Sequence, residues 1–268
     1  MAEHRLRIEN ATIGYDTATI SNDISIEIRD NSFTAIIGPN GCGKSTLLRA
    51  LSRILKPISG TVYLDDHDIF KYKPKQVARK LGLLPQSSLA PPGIKVADLV
   101  SRGRAPYQSF IHQWRDTDEA AVKEALEATG LTDISHKLVS ELSGGQRQRV
   151  WIAMLLAQQT PIMLLDEPTT FLDIAHQYEL MELLRDFHNR GKTIVTVLHD
   201  LNHAARYASD LVVMHEGAIV SVGTPDEVLT ESLLDEVFSL PARVEPDPIT
   251  ATPMVCPLDP RNKDRHEG

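Results

Sequence analysis

Residues 38–46 have the types and spacing of a phosphate-binding loop. They read Gly-Pro-Asn-Gly-Cys-Gly-Lys-Ser-Thr, which matches the pattern G-x-x-x-x-G-K-[ST]. Glycines let main-chain N–H groups approach phosphate oxygens, and a following helix adds the positive end of its dipole. Lys44 would reach the β- and γ-phosphates, and the Ser45 hydroxyl would bind Mg²⁺. The alternative is a glycine turn that happens to precede a lysine. The residues predicted to line this cradle are Gly38, Asn40, Gly41, Cys42, Gly43, Lys44, Ser45 and Thr46.

A pair of acids follows an apolar run at residues 162–168, Ile-Met-Leu-Leu-Asp-Glu-Pro. A strand ending there would place Asp166 and Glu167 at the carboxyl edge of a parallel sheet, where α/β proteins bind ligands. Asp166 would hold Mg²⁺, largely through water, and Glu167 would polarise an attacking water as general base. The alternative is a strand end that carries two solvated acids.

A third motif, Leu-Ser-Gly-Gly-Gln at residues 142–146, precedes a predicted helix at 147–157. Small residues before a helix N-terminus make a second anion site. The ordered set of phosphate loop, Leu-Ser-Gly-Gly-Gln and Asp-Glu strand resembles the ATP-binding subunit of ABC transporters over residues 6–237. The resemblance implies an ATPase that uses ATP and Mg²⁺. Two anion sites in one chain, sandwiching one nucleotide, imply head-to-tail pairing with a second copy.

The resemblance also implies roles for residues near the second anion site. The segment 143–146 would bind the ATP held by the other subunit. Its residues Ser143, Gly145 and Gln146 would contact the γ-phosphate, and Gly144 lies in the same segment. Asp173, in Thr-Phe-Leu-Asp, would cross the interface between the two copies. Arg147 and Arg149 would meet either phosphate or solvent.

Three further residues receive roles by the same resemblance, and each has an ordinary alternative. Tyr15 would stack on adenine, or it is simply a packed aromatic. Gln86 would sit at the metal and touch the membrane partner, or it is a polar loop residue. His199 would contact the γ-phosphate as part of the catalytic set with Glu167, Gln86 and Lys44, or it is a satisfied histidine at a strand end. A metal pair of His199 and His203 is rejected, because the strand should end at His199.

Cys42 stands where the family more often has a small Ser or Ala. A thiol at a helix N-terminus beside Lys44 should have a lowered pKa. The alternative, which we favour, is that Cys42 is simply small enough to fit.

These motifs need elements to position them. Apolar patterns predict strands at 6–13, 24–28, 33–37, 61–64, 162–165 and 193–198, and helices at 45–55 and 179–187. Residues 87–160 are rich in helix formers, such as 117–129, and show no strong strand pattern. With the resemblance, this predicts an α/β fold: a P-loop NTPase core with an antiparallel β subdomain and an inserted helical subdomain. The ATPase domain would cover 1–240, and a proline-rich extension would cover 241–268, with a disordered tail from about Asn262.

Composition limits the function classes. The formal net charge of −8 argues against broad nucleic-acid binding, which needs a basic surface. Two cysteines are too few for a disulfide scaffold and suggest a reducing compartment. The longest apolar run, 150–157, is far shorter than the roughly 18 residues of a membrane span. We therefore expect a peripheral protein on the cytoplasmic face of the cell membrane, with permease subunits that supply the membrane-spanning part.

The finer resemblance concerns the transported compound. Residues 168–177 resemble the ATPases of iron(III)–siderophore, haem and cobalamin importers, and residues 243–255 resemble the carboxyl extension of the siderophore group. This predicts import of a ferric siderophore, with a substrate-binding protein as an indirect partner. The alternatives are a haem or cobalamin importer ATPase, a soluble ABC ATPase that acts on a protein assembly, and a nucleotide sensor without turnover.

Overall fold

The computed structural model describes residues 4–15, 18–87, 89–108, 114–170 and 172–258. The tail predicted to be disordered from about Asn262 lies outside these ranges. In chain order the strands and helices are β1 (Leu6–Tyr15), β2 (Ala18–Ile28), β3 (Phe33–Ile37), α1 (Lys44–Leu51), β4 (Ser59–Leu64), β5 (His67–Asp68), α2 (Pro74–Val77), β6 (Leu81–Leu84), α3 (Val96–Ser101), α4 (Asp116–Ala128), α5 (Gly144–Ala157), β7 (Ile162–Asp166), α6 (Ile174–Asn189), β8 (Thr193–Val197), α7 (Leu201–Tyr207), β9 (Asp210–His215), β10 (Ala218–Gly223), α8 (Pro225–Val228), α9 (Glu231–Phe238), β11 (Ala242–Pro246) and β12 (Pro253–Pro257).

The early strands form an antiparallel sheet in the order β2-β1-β4-β5. Alternate residues of β1 are buried, which is the pattern of a sheet with one face on a core. Strand β2 starts at Ala18, so it is longer than the predicted strand at 24–28. Its first half is mostly exposed and polar, so its apolar pattern is too weak to predict from sequence.

A six-stranded sheet in the order β10-β9-β3-β8-β7-β6 forms the centre of the molecule. Strands β9, β3, β8, β7 and β6 pair in parallel, and β10 pairs with β9 in antiparallel. Every residue of β3, β7 and β8 is buried, because apolar clusters cover both faces of the sheet. The α/β fold with an antiparallel sheet is therefore confirmed.

The segment between β6 and β7 contains α3, α4 and α5, which pack around their own apolar cluster. An isolated bridge joins Lys95 and Leu138, and the described part of the segment forms no longer strand. The boundaries at about 87, 160 and 240 stay predictions.

Several helix bounds differ from the predicted ones; α6, for example, runs from Ile174 to Asn189, beyond the predicted 179–187. Helix α1 ends at Leu51 instead of residue 55, because Arg53 adopts a left-handed backbone with φ of 68°. The N–H groups of Ile54 and Leu55 then both donate to the Arg49 carbonyl, each at 3.0 Å. Helix α5 starts at Gly144 instead of residue 147, because Ser143 caps it.

The carboxyl extension forms an antiparallel hairpin of β11 and β12 that packs on α7. Val255 of β12 is buried. The Asn202 side chain of α7 accepts a hydrogen bond from the Val255 N–H at 2.7 Å and donates to its carbonyl at 3.3 Å. Among the described residues, no helix combines the length and the apolar character needed to cross a membrane.

Candidate active site

The site lies where four neighbouring parallel strands end. The phosphate loop follows β3, His199 follows β8, Glu167 follows β7 and Gln86 follows β6. The strand order β3-β8-β7-β6 makes them neighbours at one edge of the sheet. The carboxyl ends of parallel strands are the usual ligand edge of such sheets.

The phosphate loop, residues 38–46, turns sharply between β3 and α1. Gly38 has φ of 149°, and a Cβ added there would lie 2.1 Å from the carbonyl oxygen of Met214 in β9. No side chain fits that gap, so the loop needs glycine where it leaves the sheet. The Lys44 ammonium is buried and donates to the carbonyls of Gly38 and Pro39, both at 2.8 Å. The loop therefore wraps around the lysine that the motif predicts, while Asn40 and Gly41 stay exposed.

Cys42 is buried in this loop with 4% exposure. Burial raises the pKa of its thiol, although Lys44 and the main-chain N–H groups act in the opposite direction. The predicted lowering of this pKa is therefore wrong. Desolvation of the thiolate outweighs the nearby positive charge, and Cys42 is a small packing residue here.

Ser45 and Asp166 form the part of the site that suits a cation. The Ser45 Oγ donates to Asp166 Oδ1 at 2.7 Å, and Asp166 is 2% exposed. Burial raises the pKa of Asp166, the Ser45 hydroxyl lowers it, and the Glu167 charge raises it further. A hydroxyl and a buried carboxylate are oxygen ligands of the kind Mg²⁺ takes, with phosphates and water completing its shell. The predicted ligands Ser45 and Asp166 therefore fit this ion, and Gln86 reaches the adjacent acid.

Glu167 is the centre of a hydrogen-bonded cluster. Its Oε2 accepts from Gln86 Nε2 at 2.7 Å and from the Thr170 hydroxyl at 3.2 Å. Its Oε1 lies 2.7 Å from His199 Nε2. The structure thus brings three predicted catalytic residues together. Two of them, Gln86 and Glu167, are 81 positions apart in the sequence.

The backbone of Glu167 is unusual. Its φ of 49° lies in the left-handed region, which costs a non-glycine residue about 1–2 kcal/mol. Such strain concentrates at functional sites, where the surrounding structure holds it in place. Here the turn orients a mostly buried carboxylate, 11% exposed, toward the half-exposed His199.

The Leu-Ser-Gly-Gly-Gln segment starts α5 with a capping box. Gln146 N–H donates to Ser143 Oγ at 3.2 Å, and Ser143 N–H donates to Gln146 Oε1 at 3.1 Å. Within the described residues, no hydrogen bond joins this segment to the phosphate loop. Asp173 caps α6 by accepting from His176 N–H at 3.0 Å. These exposed or half-buried residues form a second cluster, separate from Glu167, and their nucleotide contacts stay predictions.

Tyr15 and two arginines complete the predicted set. The Tyr15 ring is 40% exposed, so it is not a core aromatic, and its hydroxyl accepts from Arg49 Nη1 of α1 at 2.9 Å. This places the ring beside the helix that follows the phosphate loop; its contact with adenine stays a prediction. Arg149 pairs with Glu179 at 3.3 Å, and Arg147 is exposed.

Three site residues were not predicted from the sequence. Thr170 donates to Glu167, and its position three residues after that acid is a usable signal for a turn hydroxyl. Gln148 donates to the Pro168 carbonyl at 2.9 Å, which ties α5 to the turn after β7. His176 packs its ring against Gly145, a contact that no local pattern reveals.

Comparison with known proteins agrees with this geometry. The sequence model of the family described as ABC transporter matches residues 21–170. The chain is 52% identical over 255 residues to the ferric enterobactin transport ATP-binding protein of Escherichia coli, covering 95% of this chain and 94% of that protein. It is 50% identical over 248 residues to the achromobactin transport ATP-binding protein of Dickeya dadantii, covering 92% of each.

Solved structures show the same fold. A protein described as a metal-chelate type ABC transporter, in an inward-facing conformation, superposes with a TM-score of 0.82 at 28% identity, covering 96% of this chain and 98% of that one. A dimeric bacterial ABC transporter cassette superposes with a TM-score of 0.73 at 27% identity, covering 82% and 98%. With its phosphate loop, its Glu167 cluster and these relatives, the chain belongs to the ABC transporter family as one of its ATP-binding, ATP-hydrolysing subunits.

Proposed function

We propose that this subunit hydrolyses ATP with Glu167 as general base and that two copies of it power the import of a ferric siderophore. One observation carries the catalytic part: Glu167 contacts Gln86 and His199 at 2.7 Å each, beside the Ser45–Asp166 pair. A carboxylate held by donors at the ligand edge of the sheet has the position that activation of a water requires.

The phosphate loop would hold the nucleotide. Its main-chain N–H groups and the N-terminus of α1 face an anion favourably, and the Lys44 ammonium would exchange carbonyl partners for phosphate oxygens. Ser45 and Asp166 would hold Mg²⁺. When bound, this ion neutralises phosphate charge and favours loss of the γ-phosphoryl group.

Glu167 would orient the attacking water and accept its proton. His199, whose Nε2 lies 2.7 Å from Glu167 Oε1, would contact the γ-phosphate. Gln86 would hold Oε2, the other oxygen of the carboxylate. Both contacts restrict the carboxylate to one orientation, which lowers the entropic cost of reaching the transition state.

A second copy would complete the site. Ser143, Gly145 and Gln146 are exposed or half-buried around the start of α5, and Asp173 is exposed at the start of α6. Because this cluster is separate from the phosphate loop of its own chain, it would serve the ATP of the other copy. The dimeric cassette among the similar structures supports this arrangement.

The siderophore assignment rests on relatives. The two relatives described above are named for ferric enterobactin transport and for achromobactin transport, and they align with 95% and 92% of this chain. Permease subunits would bind this subunit at the cytoplasmic face of the membrane, and a substrate-binding protein would deliver the siderophore to them.

The test uses Glu167→Gln in the full-length chain. The amide keeps the shape but removes the base, so hydrolysis should fall by about 10²–10⁴-fold while ATP still binds. Trapped ATP should then convert monomer to dimer, measured by size-exclusion chromatography with light scattering. Lys44→Ala should abolish that ATP-dependent dimer, and Glu179→Gln, an exposed change on α6, should behave as wild type.

The same variants test the transport role in cells. A deletion strain that carries the wild-type gene should take up a ferric siderophore from a panel of such compounds, and Glu167→Gln should not restore uptake. Near wild-type hydrolysis by Glu167→Gln would remove Glu167 as the base. Normal siderophore uptake by the deletion strain, with a defect in haem or cobalamin uptake, would overturn the substrate assignment.

A further inference from the structure

The ring of His176 lies directly against Gly145. A Cβ added to Gly145 would lie 2.8 Å from Cδ2 of that ring, 3.0 Å from Cγ and 3.3 Å from Nε2. Real Cβ atoms do not approach that closely, so the ring occupies the space that any larger residue at position 145 would need. The contact therefore brings the start of α5 and the start of α6 together.

The ring itself is held by Asp173. His176 Nδ1 lies 2.7 Å from Asp173 Oδ1, which also accepts the His176 N–H that caps α6. Hydrogen bonds from the His176 main chain and ring lower the pKa of Asp173, a carboxyl that is ionised at neutral pH at its ordinary pKa. The ionised carboxylate can only accept, so Nδ1 carries a hydrogen in this contact, and the hydrogen bond orients the ring.

A cavity of about 250 Å³ lies beside the contact between His176 and Gly145. It is lined in part by Ala128, Leu172, Leu180 and Leu183. Within the described residues, the Arg149–Glu179 ion pair at 3.3 Å is a second link between the two helices, and the Gln148–Pro168 hydrogen bond at 2.9 Å ties α5 to the turn after β7. Arg149 and Gln148 lie farther along α5, and the His176 ring makes its contact at the Ser143–Gln146 end.

We propose that His176 is a positioning residue for ATP hydrolysis: it joins the Ser143–Gln146 segment to Asp173 so that both meet the second copy's nucleotide in one geometry. The inference rests on the proposed function, in which these two segments face that nucleotide. A ring hydrogen-bonded to one segment and packed on the other transmits position between them, although it touches no phosphate itself.

The first test replaces the ring. His176→Ala should lower kcat by about tenfold and leave the KM for ATP almost unchanged, because the phosphate loop that binds ATP first is untouched; small displacements of positioning groups have effects of up to about 100-fold. His176→Gln can still donate to Asp173 and should recover part of the loss. Glu179→Gln, which breaks the ion pair between the same helices, is the matched control and should keep wild-type kcat.

The second test is a double-mutant cycle. Gly145→Ala introduces the clash with the ring, so it should lower kcat strongly in the wild-type background and less in the His176→Ala background. Equal factors in both backgrounds, or wild-type kcat for His176→Ala, would overturn the inference while leaving wild-type hydrolysis and the proposed function intact. Failure of the wild-type chain to hydrolyse ATP would instead contradict the proposed function. Thermal unfolding of each variant shows whether a loss comes from misfolding.

Discussion

The phosphate loop at residues 38–46 and the Ser143–Gln146 segment both precede helices, but their surroundings differ. Cys42 and Lys44 of the loop are buried, and its backbone touches β9 at Met214. The Ser143–Gln146 segment is exposed or half-buried and satisfies its own polar groups with a capping box. One proposed anion site is thus built into the core of its chain, and the other lies at the surface.

The difference fits the proposal that one chain carries two anion sites of different kinds. The loop takes its shape from the central sheet, so its geometry is complete within a single copy. The Ser143–Gln146 segment depends on the packing of α5 against α6, where one histidine ring and a cavity meet. Substitutions that disturb the packing of the phosphate loop should therefore lower the free energy of unfolding. Substitutions in the Ser143–Gln146 segment should mainly lower the rate of ATP hydrolysis.

The largest effect should come from Gly38→Ala. The added Cβ would meet the main-chain oxygen of Met214 at 2.1 Å, and neither backbone can move without disturbing the sheet. Gly41→Ala is the matched control, because it also has a positive φ, of 80°, but has no atom within 4 Å. The control should cost only the left-handed backbone penalty of about 1–2 kcal/mol. Urea unfolding should show a clearly larger loss of unfolding free energy for Gly38→Ala than for Gly41→Ala. Equal losses in the two variants would contradict the tight fit of the loop.

An intermediate effect is expected for Ser143→Ala. Ser143 and Thr230 each cap a helix with one hydroxyl, accepting at 3.2 Å from Gln146 N–H and Leu233 N–H. Each alanine variant should lose about 1 kcal/mol of unfolding free energy. Only Ser143→Ala should also lower ATP hydrolysis, by up to about 100-fold, because a donor to the γ-phosphate is lost. Steady-state kinetics of both variants give the comparison, and unchanged turnover in Ser143→Ala would remove this hydroxyl from the reaction.

The smallest effect concerns Cys42. Because its thiol is buried and its pKa is raised, a thiol-reactive reagent should modify the half-buried Cys256 first. Peptide mass spectrometry over time measures the rates at which the two thiols are modified. The Cys256→Ser variant allows the slower modification of Cys42 to be measured alone. ATP hydrolysis should stay unchanged while only Cys256 is labelled. Modification of Cys42 at the rate of Cys256 would show that the loop opens more readily than its burial implies.

Much of the site is predictable from the sequence because its motifs are local. The loop at 38–46 and the acids at 166 and 167 each follow a buried strand, and their chemistry depends on residues that are adjacent in the chain. Strands β6, β9 and β10 were not predicted. Strand β6 has only four residues, including Gly82, and β10 is half-exposed, so neither has a strong apolar pattern.

The sign of the Cys42 pKa shift shows where local reasoning fails. Neighbouring residues suggest a stabilised thiolate, but Cys42 is buried in an apolar cluster that includes Val212 and Met214 of β9, far along the chain. Desolvation depends on everything packed around a group, and a sequence neighbourhood contains only part of that.

By itself, the sequence predicted the chemistry: which loop would bind phosphate, which acids follow β7 and which small residues start α5. Only the tertiary structure decided that Gln86 and His199 meet the same carboxylate and that His176 rests on Gly145. The physical reason is strand order. Side chains after β6, β7 and β8 become neighbours only because these strands lie side by side in parallel, and the left-handed turn at Glu167 aims its carboxylate between them.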